Sequence, residues 1–227
     1  MMQYKESDLV LDVSKNVNPA VWDEGFFQEF FELLFGNRDY QKDGAEIALR
    51  FLNSGEYKDI TALAKENFEK NEDIRARWNN DFSKMQDDLE SSDKLSATLD
   101  LATGTGKSYV MFAIALIMLA TKKVSRVLVL VPSRTIEREL TQKFKDLLEN
   151  QQLLKTLGQN FVPPQILNGD STIVENSIAI ENRDAIYKAQ SSRNSIIDSL
   201  RGNGEKTLVL NDEVHHVYYS ESNEWKK

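Results

Sequence analysis

The chain has 227 residues, 41% apolar and 28% charged, enough for one large domain or a domain with an appendage and too apolar for a disordered chain. It has no cysteine, which excludes a disulfide framework and a thiolate zinc site. The net charge of −8 is uneven: residues 1–95 carry a balance of −9 and residues 96–227 one of +1, so the overall acidity does not exclude a local basic surface in the second part.

The N-terminus, Met1-Met2-Gln3-Tyr4-Lys5-Glu6, lacks the apolar core of a signal peptide. After an alternating stretch, Asp8–Val13, and Pro19, an aromatic-rich helix is expected over Asp23–Phe35. Phe26, Phe27, Phe30, Phe31 and Leu34 recur at helical spacing and form its core-facing stripe, and Gly36-Asn37 ends it. A second helix is expected over Asp39–Asn53. Residues 56–94 are polar, with sparse anchors at Ile60, Leu63, Phe68, Ile74, Trp78, Phe82, Met85 and Leu89, the pattern of two or three amphipathic helices.

From Ser96 onward strands and helices alternate. The expected order is strand Ala97–Leu101, a glycine turn, helix Lys107–Thr121, strand Arg126–Val131 and helix Arg134–Asn150. Short strands follow at Gln165–Leu167 and Ser177–Ile180, helices at Asp184–Gln190 and Ser192–Arg201, and a last strand at Thr207–Leu210. Such alternation predicts a mostly parallel α/β sheet with helices on both faces. The expected division is a helical appendage over 1–95 and an α/β domain over 96–227. The longest apolar run, Tyr109–Ala120, is too short to span a bilayer and suits a buried helix, so a soluble cytoplasmic protein is expected.

Four segments carry chemistry. Leu101-Ala-Thr-Gly-Thr-Gly-Lys-Ser108 lies between an apolar strand and an apolar helix, the context a phosphate loop requires. Gly104 and Gly106 let the backbone wrap a phosphate, with the N–H groups of Thr103 and Thr105 contributing to an anion nest. The helix N-terminus adds its positive dipole end. Lys107 supplies a charge for the β- and γ-phosphates, and Ser108 a hydroxyl for magnesium. Leu101 stands where the strict pattern has glycine, at the entry to the loop and away from the phosphates.

Thr207-Leu-Val-Leu-Asn-Asp-Glu-Val-His-His216 delivers Asp212 and Glu213 at the C-terminal end of a strand, the end at which open parallel sheets bind ligands. Asp212 is assigned to magnesium and Glu213 to polarising the attacking water. The adjacent His215 and His216 are the only histidines. On a strand they point to opposite faces, so they do not share a metal, and His215 is read as a relay beside the γ-phosphate.

Arg38-Asp39-Tyr40-Gln41 offers an amide that donates and accepts at once, as the edge of adenine requires, or else a plain surface helix start. Val131-Pro132-Ser133-Arg134-Thr135 offers backbone N–H groups, two hydroxyls and a charge to a nucleic-acid phosphate, or else an ordinary capped connection. Seven basic residues against two acidic ones within Thr121–Lys145 are consistent with the former.

Taken in order, Tyr40-Gln41, residues 102–108, residues 131–135 and Asp-Glu-Val-His-His (212–216) resemble the Q motif, motif I, motif Ia and motif II of superfamily 2 helicases and translocases. The likeness spans about residues 36–218 and is nearest to the DEAD/DEAH-type motor subunits of type III and type I restriction enzymes. It implies a RecA-like domain that binds ATP and Mg2+ and works on DNA or RNA. It implies Gln41 on adenine, Lys107 and Ser108 on phosphate and metal, Asp212 on metal, Glu213 as base and His215 as the coupling residue.

The gap between Gln41 and the phosphate loop is longer than in that family, and the acidic stretch 54–94 looks like an insertion. Motif III, a second RecA-like domain with its arginine fingers and a nuclease site are not present in the 227 residues. The expectation is therefore the first motor domain of a longer helicase or translocase, partnered by that second domain and by other subunits of a restriction-type complex, with little turnover of its own. Two rival readings are a P-loop ATPase acting on proteins and a nucleotide-binding module without turnover.

Overall fold

The computed structural model describes residues 9–89, 91–102, 104–168, 172–182, 200 and 202–212. Thr103, Glu213, His215, His216 and most of the two helices expected over 184–201 lie outside them. The chain forms two compact units, one from residues 1–24 and 46–100, the other from residues 25–45 and 101–227.

The first unit is helical. It holds the second half of α2 (Asp39–Asn53), α3 (Ile60–Lys70), α4 (Glu72–Arg77) and α5 (Phe82–Asp87). Short polar side chains start the last three. Asp59 accepts from the Ala62 N–H at 2.8 Å, Asn71 accepts from the Asp73 and Ile74 N–H groups, and Asp81 from that of Ser83. The sparse anchors do converge: Phe68, Ile74, Trp78 and Met85 are buried with Ala64, and Phe82 and Leu89 pack against them. A second cluster gathers Phe51, Tyr57, Ile60 and Leu63. The Arg50 guanidinium, almost wholly buried, reaches both carboxylate oxygens of Glu24 at 2.5 and 3.0 Å.

The second unit is α/β. Strands β1 (Arg126–Val131), β2 (Gln165–Asn168), β3 (Ser177–Asn182) and β4 (Thr207–Asn211) form one parallel sheet in the order β2-β3-β1-β4. Side chains alternate faces along a strand, yet Val127 to Val131 and all of β3 are buried, so both faces are covered there. β4 is an edge of this sheet, and its Val209 is 52% exposed. Helix α7 (Arg134–Leu148) packs on β1, β2 and β3, and α6 (Lys107–Ala120) on β4. Helix α6 is apolar all round and buried from Phe112 to Leu119, as a central helix must be. The chain breaks after α7, where the Asn150 side chain caps a new helix, α8 (Gln151–Lys155), at the Leu153 N–H.

Two local expectations are corrected. Residues 97–101 are not a strand. They take no regular structure and are largely exposed, and among the described residues no ladder neighbour supplies the hydrogen bonds that hold a strand together. The helix expected from Asp23 begins as a 3₁₀ turn, Glu24–Phe27, and becomes α1 only at Gln28–Phe35. That tighter winding takes Phe26 off the stripe, and it is 56% exposed. Phe27, Phe30, Phe31 and Leu34 are buried as expected, and Gly36 ends the helix at a positive φ of 57°.

Candidate nucleotide and nucleic-acid site

The turn of the loop is built from its own backbone. The Ala102 carbonyl accepts from the Thr105 N–H at 3.2 Å and from its hydroxyl at 2.5 Å. Gly104 and Gly106 take φ of 78° and 81°, a region where a side chain is strained, and Gly106 is the residue from which α6 starts. Lys107 and Ser108 are the first two residues of that helix and are half-buried.

The start of α2 braces the loop. The Gln41 side-chain amide donates to the Thr105 carbonyl, and the Tyr40 hydroxyl donates to the same oxygen at 3.1 Å. A Cβ at Gly106 would run into the Gln41 amide, so a side chain there would be strained at its φ and would displace that amide. Gln41 is buried, and its Oε1 has no hydrogen-bond partner among the described residues. An acceptor of this kind is costly to bury unless a donor meets it.

Helix α7 meets the N-terminal end of α6. The Phe112 and Phe144 rings contact edge to face at 5.1 Å between centroids. One residue before Phe144, the Lys143 ammonium donates to the Ser108 hydroxyl at 2.6 Å and lies 3.8 Å from the centre of the Tyr109 ring. The Arg38 guanidinium lies 5.7 Å from the same ring centre. Burial, and then the repulsion of Arg38, hold the Lys143 ammonium below the usual lysine range. Sequence reasoning did not single out Lys143, Tyr109 or Arg38 for the loop. The one signal was the basic count of residues 121–145, which does not say which lysine turns inward.

The C-terminal edge of the sheet carries the other candidates. In the order β2-β3-β1-β4 the C-terminal end of β1 lies between those of β3 and β4, the end at which open parallel sheets bind ligands. The Asp212 N–H donates to the Leu130 carbonyl at 2.8 Å, which fixes the residue after β4 beside the end of β1. At that end Ser133 caps α7, its hydroxyl accepting from the Ile136 N–H at 3.3 Å. Pro132 is half-buried, while Arg134 and Thr135 are exposed at the helix start. Glu137, in the first turn, accepts from the backbone and side-chain N–H groups of Asn182 at 3.1 and 3.2 Å.

The structure therefore brings Gln41, Gly104, Thr105, Gly106, Lys107 and Ser108 into one loop and brace, and places Pro132 to Thr135 and Asp212 on the sheet's C-terminal edge. Among the described residues no His, Asp and Glu side chains form a metal-holding cluster of three or more, and no helix is long and apolar enough to cross a membrane. The loop fits a nucleotide phosphate with its divalent ion: two left-handed glycines, a helix N-terminus, a lysine and a serine hydroxyl.

Neither a curated protein nor a solved structure matches the chain. A family model, described as type III restriction enzyme, res subunit, matches residues 38–227, which takes in the brace, the loop and the whole sheet. The chain thus belongs to the type III restriction enzyme res-subunit family, and its parallel sheet is the RecA-like α/β domain of a superfamily 2 helicase-type protein.

Proposed function

We propose that the chain is the ATP-binding first motor domain of an ATP-dependent DNA or RNA translocase of the restriction type. The observation that carries this reading is the brace: Gln41 and Tyr40 both donate to the Thr105 carbonyl, so a residue suited to adenine is tied to the loop suited to phosphates. The residues favour a nucleotide over a bare anion, because the buried Gln41 Oε1 has an acceptor to offer a base amine.

In this reading Thr103 to Gly106 wrap the phosphates, Lys107 neutralises their charge, and Ser108 and Asp212 hold magnesium. The bound ion would supply charge neutralisation at the transferring phosphoryl group. Glu213 orients the attacking water, and His215 links that event to the nucleic acid. Ser133, Arg134 and Thr135, with the preceding Pro132, hold a nucleic-acid phosphate at the start of α7, two of them exposed there. A second RecA-like domain supplies the arginine that completes the site, and other subunits of a restriction-type complex are its further partners.

Titration of Mg-ATP into the chain tests the reading. Binding in the micromolar range that Lys107→Ala weakens at least tenfold supports it. Absence of binding, or binding indifferent to Lys107, contradicts it.

A further inference from the structure

From outside the loop, the Lys143 ammonium touches the loop's own hydroxyl, at 2.6 Å from Ser108. Three features set it apart from a surface lysine. It is half-buried, its ammonium lies over the Tyr109 ring, and no carboxylate pairs with it among the described residues. A second cation, Arg38, lies over the same ring and repels it. Lys107 adds a third positive charge at the adjoining position of α6 and likewise has no acidic partner among the described residues.

Lys143 and Arg38 lie over one ring with no acid paired to Lys143 among the described residues, so the two repel, and water compensates a half-buried ammonium poorly. What complements them is a polyanion seated on the loop. The γ- and β-phosphates of a nucleoside triphosphate are such a polyanion, and Ser108 is the residue whose hydroxyl would hold their magnesium. An ammonium already bonded to that hydroxyl is within a side-chain rotation of their oxygens.

We infer that Lys143 is a second phosphate-binding lysine of the nucleotide site, delivered from α7 and contacting the terminal phosphates beside Ser108. The inference rests on the nucleotide reading above and deepens it. Its structural consequence is that α7 is tied to the nucleotide at Lys143 and carries Ser133, Arg134 and Thr135 at its other end, so one helix reports on both ligands.

The experiment is calorimetric titration of Mg-ATP and Mg-AMP into the full chain and into its K143M, K143Q and K143R variants, with thermal melts in the absence of nucleotide. Methionine keeps an unbranched side chain of similar length and removes the charge. A charge-assisted bond lost from the site weakens ATP binding about tenfold or more. The expected result is that loss in K143M and K143Q, near-wild-type affinity in K143R, AMP binding unchanged by any of them, and melts within a few degrees of one another. ATP affinity unchanged in K143M and K143Q while the wild type binds would overturn the inference and leave Lys143 a packing residue. Loss of a cooperative melt in both would do the same. Failure of the wild type itself to bind ATP would sink the nucleotide reading, an outcome distinct from either.

Discussion

Gln41 and Gly106 occupy the same space: the glutamine amide fills the position that a Cβ at residue 106 would take. The contact joins helix α2 to a loop more than 60 residues later and holds the loop's Thr105 carbonyl from one side. A nucleotide site made this way depends on both partners. Gly106→Ala forces a side chain into a left-handed position, φ 81°, and pushes Gln41 off. It should abolish ATP binding in a titration. Gln41→Ala keeps the loop's backbone and should weaken binding about tenfold, with little change in the melting temperature. Equal, mild effects of the two would mean that the brace is not part of the site.

Lys107 and Glu213 are assigned to different steps, and their variants separate accordingly. Lys107→Ala should weaken nucleotide binding in a titration. Glu213→Gln should leave binding unchanged and reduce turnover by at least two orders of magnitude. Equal loss of binding in both would contradict the roles given to them.

At the start of α7 capping and charge can be told apart. Ser133→Ala removes a side-chain cap and should cost about 1 kcal/mol of stability by chemical denaturation. Arg134→Ala removes an exposed charge and should cost little stability. If that charge meets a nucleic-acid phosphate, the same change lowers the salt dependence of nucleic-acid binding by about one counterion. An unchanged salt slope would place the nucleic acid elsewhere.

Tyr57 gives the first unit a pH dependence. Its hydroxyl donates to Glu66 at 2.6 Å and accepts from the Ser14 N–H at 3.2 Å, and burial with that carboxylate neighbour raises its pKa from 10.0 to about 12. The folded state therefore favours the protonated phenol more than the unfolded state does. The stabilisation is complete below pH 10 and is lost as pH rises through 12. Denaturation midpoints measured between pH 9 and 12 should fall over that window, and Tyr57→Phe should flatten the fall.

What the sequence revealed was mostly what is local. The anchors from Ile60 to Leu89 are spaced at helical intervals, and Asp59, Asn71 and Asp81 cap the helices that carry them, so pattern and capping agree. Strand β1 is legible because an unbroken Val/Leu run is what a strand buried on both faces needs. The failure at residues 97–101 has the opposite cause. Alternating Ala97, Leu99 and Leu101 satisfy a strand's pattern, but a strand is made by a neighbour, and a pattern does not contain one. Phe26 went astray because a 3₁₀ turn winds by three residues rather than 3.6.

Within the proposed site, the loop and Asp212 were singled out as motifs, and the structure joins Gln41 to the loop. That Gln41 holds the Thr105 carbonyl was not readable. Neither was Lys143, which reaches Ser108 across 35 residues because Phe144 packs on Phe112 and leaves the preceding side chain facing the loop. Contacts of that separation belong to the packing of α6 on α7. The local sequence of neither helix states them.

The most direct test of the account is ATP turnover by the protein that carries this domain, measured with magnesium and with single-stranded or double-stranded DNA or RNA added in turn. The account predicts low turnover alone and a stimulation of tenfold or more by one of these nucleic acids, lost in Glu213→Gln. Turnover indifferent to every nucleic acid would contradict it and favour an ATPase that works on proteins, and no turnover under any condition would leave a nucleotide-binding module.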